Sequence, residues 1–247
     1  MRDDSGSDAG GRNDPPSLRE ATGNKRPDPR EDPTGFLRWL LRTDQGTVAF
    51  VREVLSSVLL VALIGVLLFA VSGVWPPMVA VESPSMTPHL QPGDLVFVVN
   101  EHRYVPDSAY DDTGVVPYDT GEEVGYRKFG SYGDVIVYDS PYSDGPPVIH
   151  RARFWVSAGE NWYDRANKSY VNAKECGATP EEGLPNCPAP HAGFITKGDA
   201  NHYYDQNGGI SPPVRPDWVE ATGEARVPYL GCVRLWFMGN PPSACRL

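Results

Sequence analysis

Val148-Ile149-His150-Arg151-Ala152-Arg153-Phe154-Trp155-Val156 is the run that settles the class of fold. Its β-branched and aromatic side chains alternate with a period of two residues, the spacing of a half-buried strand rather than of a helix. That alternation groups His150 with Ala152, Phe154 and Val156 on one face and sets Arg151 and Arg153 on the other. Outward from this run, similar apolar stretches recur at residues 78–83, 94–99, 134–138, 193–196 and 226–237, bounded by Gly, Pro, Asp or Asn. The chain of 247 residues contains 25 Gly and 25 Pro, so turns are favoured over long helices and the expected fold is mainly β. Residues 101–131 and 157–190 lack periodicity and are read as surface insertions on the sheet core.

Ahead of the sheet, residues 54–74 read VLSSVLLVALIGVLLFAVSGV without a charge. At about 1.5 Å of rise per residue this run is long enough to cross a hydrocarbon core of about 30 Å. A cleaved secretory signal is the competing reading, but the run is too long and begins too far into the chain. Arg38, Arg42 and Arg52 precede it, and no Lys or Arg follows until Arg103. The expected orientation therefore puts the N-terminus in the cytoplasm and residues 75–247 outside, with the lipid bilayer as a partner. Residues 1–35 carry too few apolar side chains to form a core and are read as a disordered cytoplasmic tail. Residues 36–53 form a juxtamembrane segment, in which Phe36, Leu37, Trp39, Leu40 and Leu41 suit a short amphipathic stretch at the membrane surface.

A net charge of −10 argues against nucleic acid as a partner, because phosphate binding needs clustered Lys and Arg. All four Cys lie beyond the apolar run, which suggests disulfides. Three pairings are open; Cys176 with Cys187 and Cys232 with Cys245 close the shortest loops. Zinc is the rival, with His191 close to Cys187, but no Cys-x-x-Cys spacing occurs, and neither a metal nor a cofactor is expected.

Three separated features could carry chemistry. Ser85 lies between Pro84 and Met86 with Pro88 close behind, so the chain must leave its strand in a constrained turn that can present a hydroxyl. Strand alternation would carry Ser83 to the same face, and the plainer reading of Ser-Pro-Ser is a solvated turn. His150 has the proton affinity to accept a Ser proton near neutral pH, although a His on an apolar face is more often a core residue. Asp199 and Asp205 follow the apolar run at 193–196, and either could orient an imidazole; an isolated Gly-Asp is more often an Asx-turn. His89 and His202 are further imidazoles close to these segments.

Taken in order, these segments resemble signal peptidase I of the archaeal and endoplasmic-reticulum branch. Ser83-Pro84-Ser85-Met86-Thr87-Pro88 is similar to that family's nucleophile box and Gly93-Asp94-Leu95-Val96 to the strand after it. Gly133-Asp134-Val135-Ile136-Val137 is similar to the next strand box, and Ile149-His150-Arg151 to the box in which bacterial relatives have Lys. Residues 197–205 are similar to the acidic box, with Ala200 where many relatives have Asn, and residues 223–231 to the closing strand. The resemblance implies a signal-peptidase-like β core behind one N-terminal transmembrane helix, with Ser85 as nucleophile, His150 as general base, Asp205 as its supporting acid and Asp199 as a second important carboxylate. It implies that Ser83 helps to stabilise the oxyanion and that Met86 belongs to the substrate-binding turn. It further implies preprotein signal peptides as substrates, proximity to a secretion translocon and a location in the cell membrane. The alternatives are an anchored β domain that binds extracytoplasmic ligands without catalysis, and a processing paralogue with few clients.

Overall fold

The computed structural model describes residues 30–42, 46–177, 183–239 and 245. Of the expected tail over residues 1–35, residues 1–29 lie outside these, and residues 33–35 open a helix instead of belonging to a disordered tail. The chain divides into two compact units, residues 1–62 and 63–247.

In the first unit, helix α1 spans Pro33–Arg42, and Asp32 caps it by accepting the Gly35 N–H at 2.8 Å and the Thr34 hydroxyl at 3.0 Å. Helix α2, Gly46–Ser72, begins in this unit and is the one helix among the described residues long and apolar enough to cross a membrane. Its limits differ from the expected 54–74. The helix runs back through Arg52 and Glu53, which helical backbone accommodates readily. It stops at Gly73, whose φ of 78° and N–H bond to the Phe69 carbonyl at 2.8 Å form a left-handed cap.

The second unit is built on a curled six-stranded antiparallel sheet whose strands lie in the order Met78–Ala80, Leu95–Val99, Val219–Val227, Val135–Tyr138, Val148–Val156 and Gly193–Lys197. The strands are β1 Met78–Ala80, β2 Leu95–Val99, β5 Val135–Tyr138, β6 Val148–Val156, β7 Gly193–Lys197 and β8 Val219–Val227. Register shifts within the β2–β8, β5–β8 and β6–β7 pairs bend the sheet. In β6 the shift falls between Ala152 and Phe154, so that Ala152 opposes Thr196 while Phe154 opposes Ile195. The extra residue at Arg153 breaks the simple alternation. Ala152 joins a core cluster with Ile136 and Tyr138, whereas Phe154 and Val156 join another with Trp162 and Ile195.

The expected strand at 226–237 is corrected. Strand β8 ends at Val227, where Pro228 removes a ladder donor and Tyr229 turns at a φ of 60°, and Gly231–Phe237 is helix α4. The strand itself lies earlier, because Val219 and Ala221 pack inward between exposed or polar neighbours. Residues 101–131 are also more ordered than a surface insertion. They contain helix α3, Tyr118–Val124, and residues of the hairpin β3 Arg127–Lys128 with β4 Ser131–Tyr132. Residues 157–190 bury Trp162, Leu184 and Cys187 against β6 and β7, so this segment supplies core as well as surface. Disulfides join Cys176 to Cys187 and Cys232 to Cys245.

Asp134 ties the first of these segments to the sheet. Its carboxylate accepts the Val116 N–H at 2.7 Å and the Tyr126 hydroxyl at 2.9 Å. Burial outweighs both bonds and pushes its pKa from 3.8 up to about 6. As pH falls from about 6 toward 3.8, the folded chain takes up a proton that the unfolded chain does not yet bind, so this group adds stability on acidification. Asp134→Asn should remove that component. Denaturant titrations of the two chains across this interval should differ in slope, and parallel pH dependence would contradict the assignment.

Candidate active site

Ser85 is held by a 3-10 turn at Pro84–Met86 rather than by a continued strand, since β1 ends at Ala80. The turn closes with Thr87 N–H and Thr87 hydroxyl bonds to the Pro84 carbonyl, at 3.0 and 2.9 Å. Met86 and Leu90, both fully buried, anchor it in the core below. Met86 is therefore a packing residue beneath the turn. Its sulfur accepts the Asp199 N–H at 3.5 Å, which links the turn to the acidic segment. The Ser85 carbonyl accepts the Ala200 N–H at 2.8 Å, and Gly198 lies so close that a Cβ there would approach the same oxygen to 2.8 Å. The residues 197–205 thus press directly on the backbone of Ser85.

The functional side chains meet in a single file. Ser83 Oγ lies 3.1 Å from Ser85 Oγ, so the two hydroxyls do share one site, although a turn and not strand alternation brings them there. Ser85 Oγ lies 3.0 Å from His150 Nε2, and His150 Nδ1 lies 2.7 Å from Asp205 Oδ2. Asp205 is completely buried and His150 nearly so, while Ser85 is partly open to solvent. With the Nδ1–H donating to the Asp205 carboxylate, Nε2 is left as acceptor for the Ser85 hydroxyl. This is the geometry of a nucleophile, a base and a group that orients the base.

Two residues without a role in the sequence reading complete the buried end. Asp205 Oδ2 also accepts the Tyr138 hydroxyl at 2.9 Å and the Thr196 hydroxyl at 2.7 Å. Burial, followed by the charge of Asp205, pushes the Tyr138 phenol well above its ordinary range, which keeps it a donor. Gln206 in turn holds Thr196, accepting its N–H at 3.0 Å and donating to its hydroxyl at 3.2 Å. The strand register accounts for the meeting. Tyr138 lies two residues from Ile136, which opposes His150, and Thr196 opposes Ala152, two residues from His150 in the other direction.

Asp199 has different partners. Arg151, fully buried, donates to it twice, from Nε at 2.9 Å and from Nη2 at 2.7 Å, and His89 Nδ1 lies 2.8 Å away. Burial works against ionisation of Asp199, but the Arg151 bonds and charge, followed by those of His89, hold its carboxyl below the ordinary range. Arg151 Nη1 also donates to the Gly133 carbonyl at 2.9 Å, so the pair clamps the acidic segment onto the start of β5. His89 is engaged there, and His202 is exposed beside Tyr203.

A cleft opens over Ser85, lined by Ala80, Ser83, Pro147, Ile149, His150 and Asn201 among others. Within the described residues no cluster of His, Cys, Asp and Glu has the form of a metal site. No protein-family model matches the chain, and comparison with curated proteins gives no match.

The short Nδ1–carboxylate contact predicts a proton resonance far downfield of the ordinary imidazole range. Asp205→Ala should abolish that signal, while Asp199→Ala should leave it. A signal that survives Asp205→Ala would assign the Nδ1 proton to another acceptor.

Proposed function

We propose that this protein is a membrane-anchored serine endopeptidase of the signal peptidase I type, which removes signal peptides from preproteins. The observation that carries the reading is the Ser85–His150–Asp205 file, with its serine end at an open cleft and its carboxylate end sealed. In this mechanism the Ser85 oxygen attacks the scissile carbonyl while its proton passes to His150 Nε2. The tetrahedral oxyanion takes hydrogen bonds from the Ser85 N–H and the Ser83 hydroxyl, donors of a kind worth about 10²–10³ in rate. His150 then returns the proton to the leaving amine, which breaks the C–N bond and leaves an ester on Ser85. Water, deprotonated by the same imidazole, attacks the ester and restores the serine. Asp205 acts through His150 as a positioning residue, with Tyr138 and Thr196 behind it.

The substrate lies extended along β1, which pairs with β2 on one side only among the described strands, and whose Ala80 contributes to the cleft. Helix α2 serves as the anchor, N-terminus in the cytoplasm, and places the catalytic domain outside the cell membrane near a secretion translocon. Co-anchoring raises the effective concentration of a substrate whose own apolar helix lies in that bilayer.

The direct test is processing of a preprotein by the detergent-solubilised full chain. Ser85→Ala and His150→Ala should each lower kcat by at least about 10³-fold. Tyr138→Phe should lower it about tenfold with little change in KM, through loss of one hydrogen bond to a charged acceptor. Wild-type processing by Ser85→Ala would overturn the reading and leave a binding domain in its place.

A further inference from the structure

Asn167-Lys168-Ser169 is the one Asn-x-Ser or Asn-x-Thr sequence with x other than Pro in the chain, and no step of the proposed peptidase uses it. It lies within residues 157–190, where all three of its residues are exposed while Trp162, Ala166 and Val171 on either side are buried with Phe154 and Ile195 of the sheet. Its backbone is firmly placed. The Asn167 N–H donates to the Tyr204 hydroxyl at 3.2 Å, and the Tyr170 N–H donates to the Asn167 carbonyl at 2.9 Å across the 3-10 turn Lys168–Tyr170. The sequence therefore stands at the surface on a supported turn, as an acceptor for a bulky group must.

The side chains are disposed to suit such a group. Asn167 Oδ1 accepts the Ser169 N–H at 3.0 Å and the Ser169 hydroxyl at 2.7 Å. Capping the turn needs only that oxygen, so Asp or Ser at this position would serve equally well. What Asn adds is its amide nitrogen. Among the described residues the hydrogen bonds of Asn167 run through its backbone and Oδ1, and none uses Nδ2. Lys168 is tied back toward the N-terminal side of the turn, where its ammonium donates to the Tyr163 carbonyl and lies 3.5 Å from the centre of the Tyr163 ring.

We propose that Asn167 carries an N-linked glycan, with Ser169 as the second element of the acceptor. This rests on the orientation read for α2, which puts residues 75–247 on the outer side of the membrane. The co-reactant is an oligosaccharide linked through phosphate to a membrane polyisoprenoid and delivered by a membrane transferase. Nδ2 forms a bond to the anomeric carbon of the sugar, and the bond from that carbon to the phosphate oxygen breaks. The phosphate leaves with the electron pair, and one amide proton passes to a base of the transferase. Residues 164–170 are not part of the lining of the Ser85 cleft, so the modification does not occupy it.

The full chain would be isolated from the membranes of its own cells and cut with chymotrypsin, which should release residues 164–170 by cleavage after Tyr163 and Tyr170. That peptide should carry a sugar mass increment that electron-transfer fragmentation places on Asn167. Ser169→Ala should abolish the increment, and Ser169→Thr should keep it. Recovery of the peptide only at its unmodified mass would overturn the proposal, as would sugar on Ser169 or sugar on Asn167 that survives Ser169→Ala. The increment should be unchanged in a Ser85→Ala chain, so it is read independently of any peptidase activity. A second measurement separates the glycan from the orientation on which it rests. All four Cys are paired, so Tyr142→Cys, at an exposed site on another loop, gives a unique thiol for a membrane-impermeant maleimide added to intact cells. Labelling of that thiol together with an unmodified Asn167 would sink the glycan alone. A thiol labelled only after lysis would overturn the orientation and the glycan with it.

Discussion

The carboxylate oxygen Oδ2 of Asp205 is the point on which the candidate site depends. It is buried, and a buried carboxylate is strongly disfavoured unless donors surround it. Three donors meet on this one oxygen, Tyr138 from β5, His150 from β6 and Thr196 from β7, while Oδ1 has no hydrogen-bond partner among the described residues. These strands are neighbours in the sheet, so one atom is held by three consecutive strands. A shift of a single residue in either pairing would turn a donor to the opposite face. The register of β5, β6 and β7 is thus the same fact as the orientation of the imidazole toward Ser85.

A second carboxylate close in sequence does different work. Asp199 lies where the chain leaves β7 and is matched to the guanidinium of Arg151, the neighbour of His150 on the strand. Adjacent strand residues point to opposite faces, so His150 and Arg151 each address one of the two acids. The first pairing orients the His150 imidazole toward Ser85. The second joins the acidic segment to the turn that carries Ser85 and to the start of β5. Removing either acid would leave a buried partner unmatched, but only Asp205 has the His150 imidazole as that partner.

Much of this was legible from residue patterns. The apolar run before the sheet and the strand through His150 follow from periodicity, and the motif resemblance names Ser83, Ser85, His150 and Asp205, which the fold brings together, as well as Asp199. What escaped depends on tertiary placement. Strand β8 is interrupted by Thr222 and Glu224 and reads as polar, whereas the more apolar residues 231–237 form a helix. The bulge at Arg153 cannot be read from an alternation that it interrupts. The burial of Arg151 requires Asp199, the Gly133 carbonyl and their neighbours to be in place first. Tyr138 looked like an ordinary strand residue until β5 was set beside β6.

In the proposed peptidase, Ser85 is a nucleophile activated by His150. This activation is tested most directly by reacting the full chain in detergent with a fluorophosphonate and locating the adduct by peptide mass spectrometry. A single adduct on Ser85 is expected, nearly lost in a folded His150→Gln chain. Absence of the adduct, its presence on Ser83 instead, or an equal rate of Ser85 labelling in His150→Gln would contradict it.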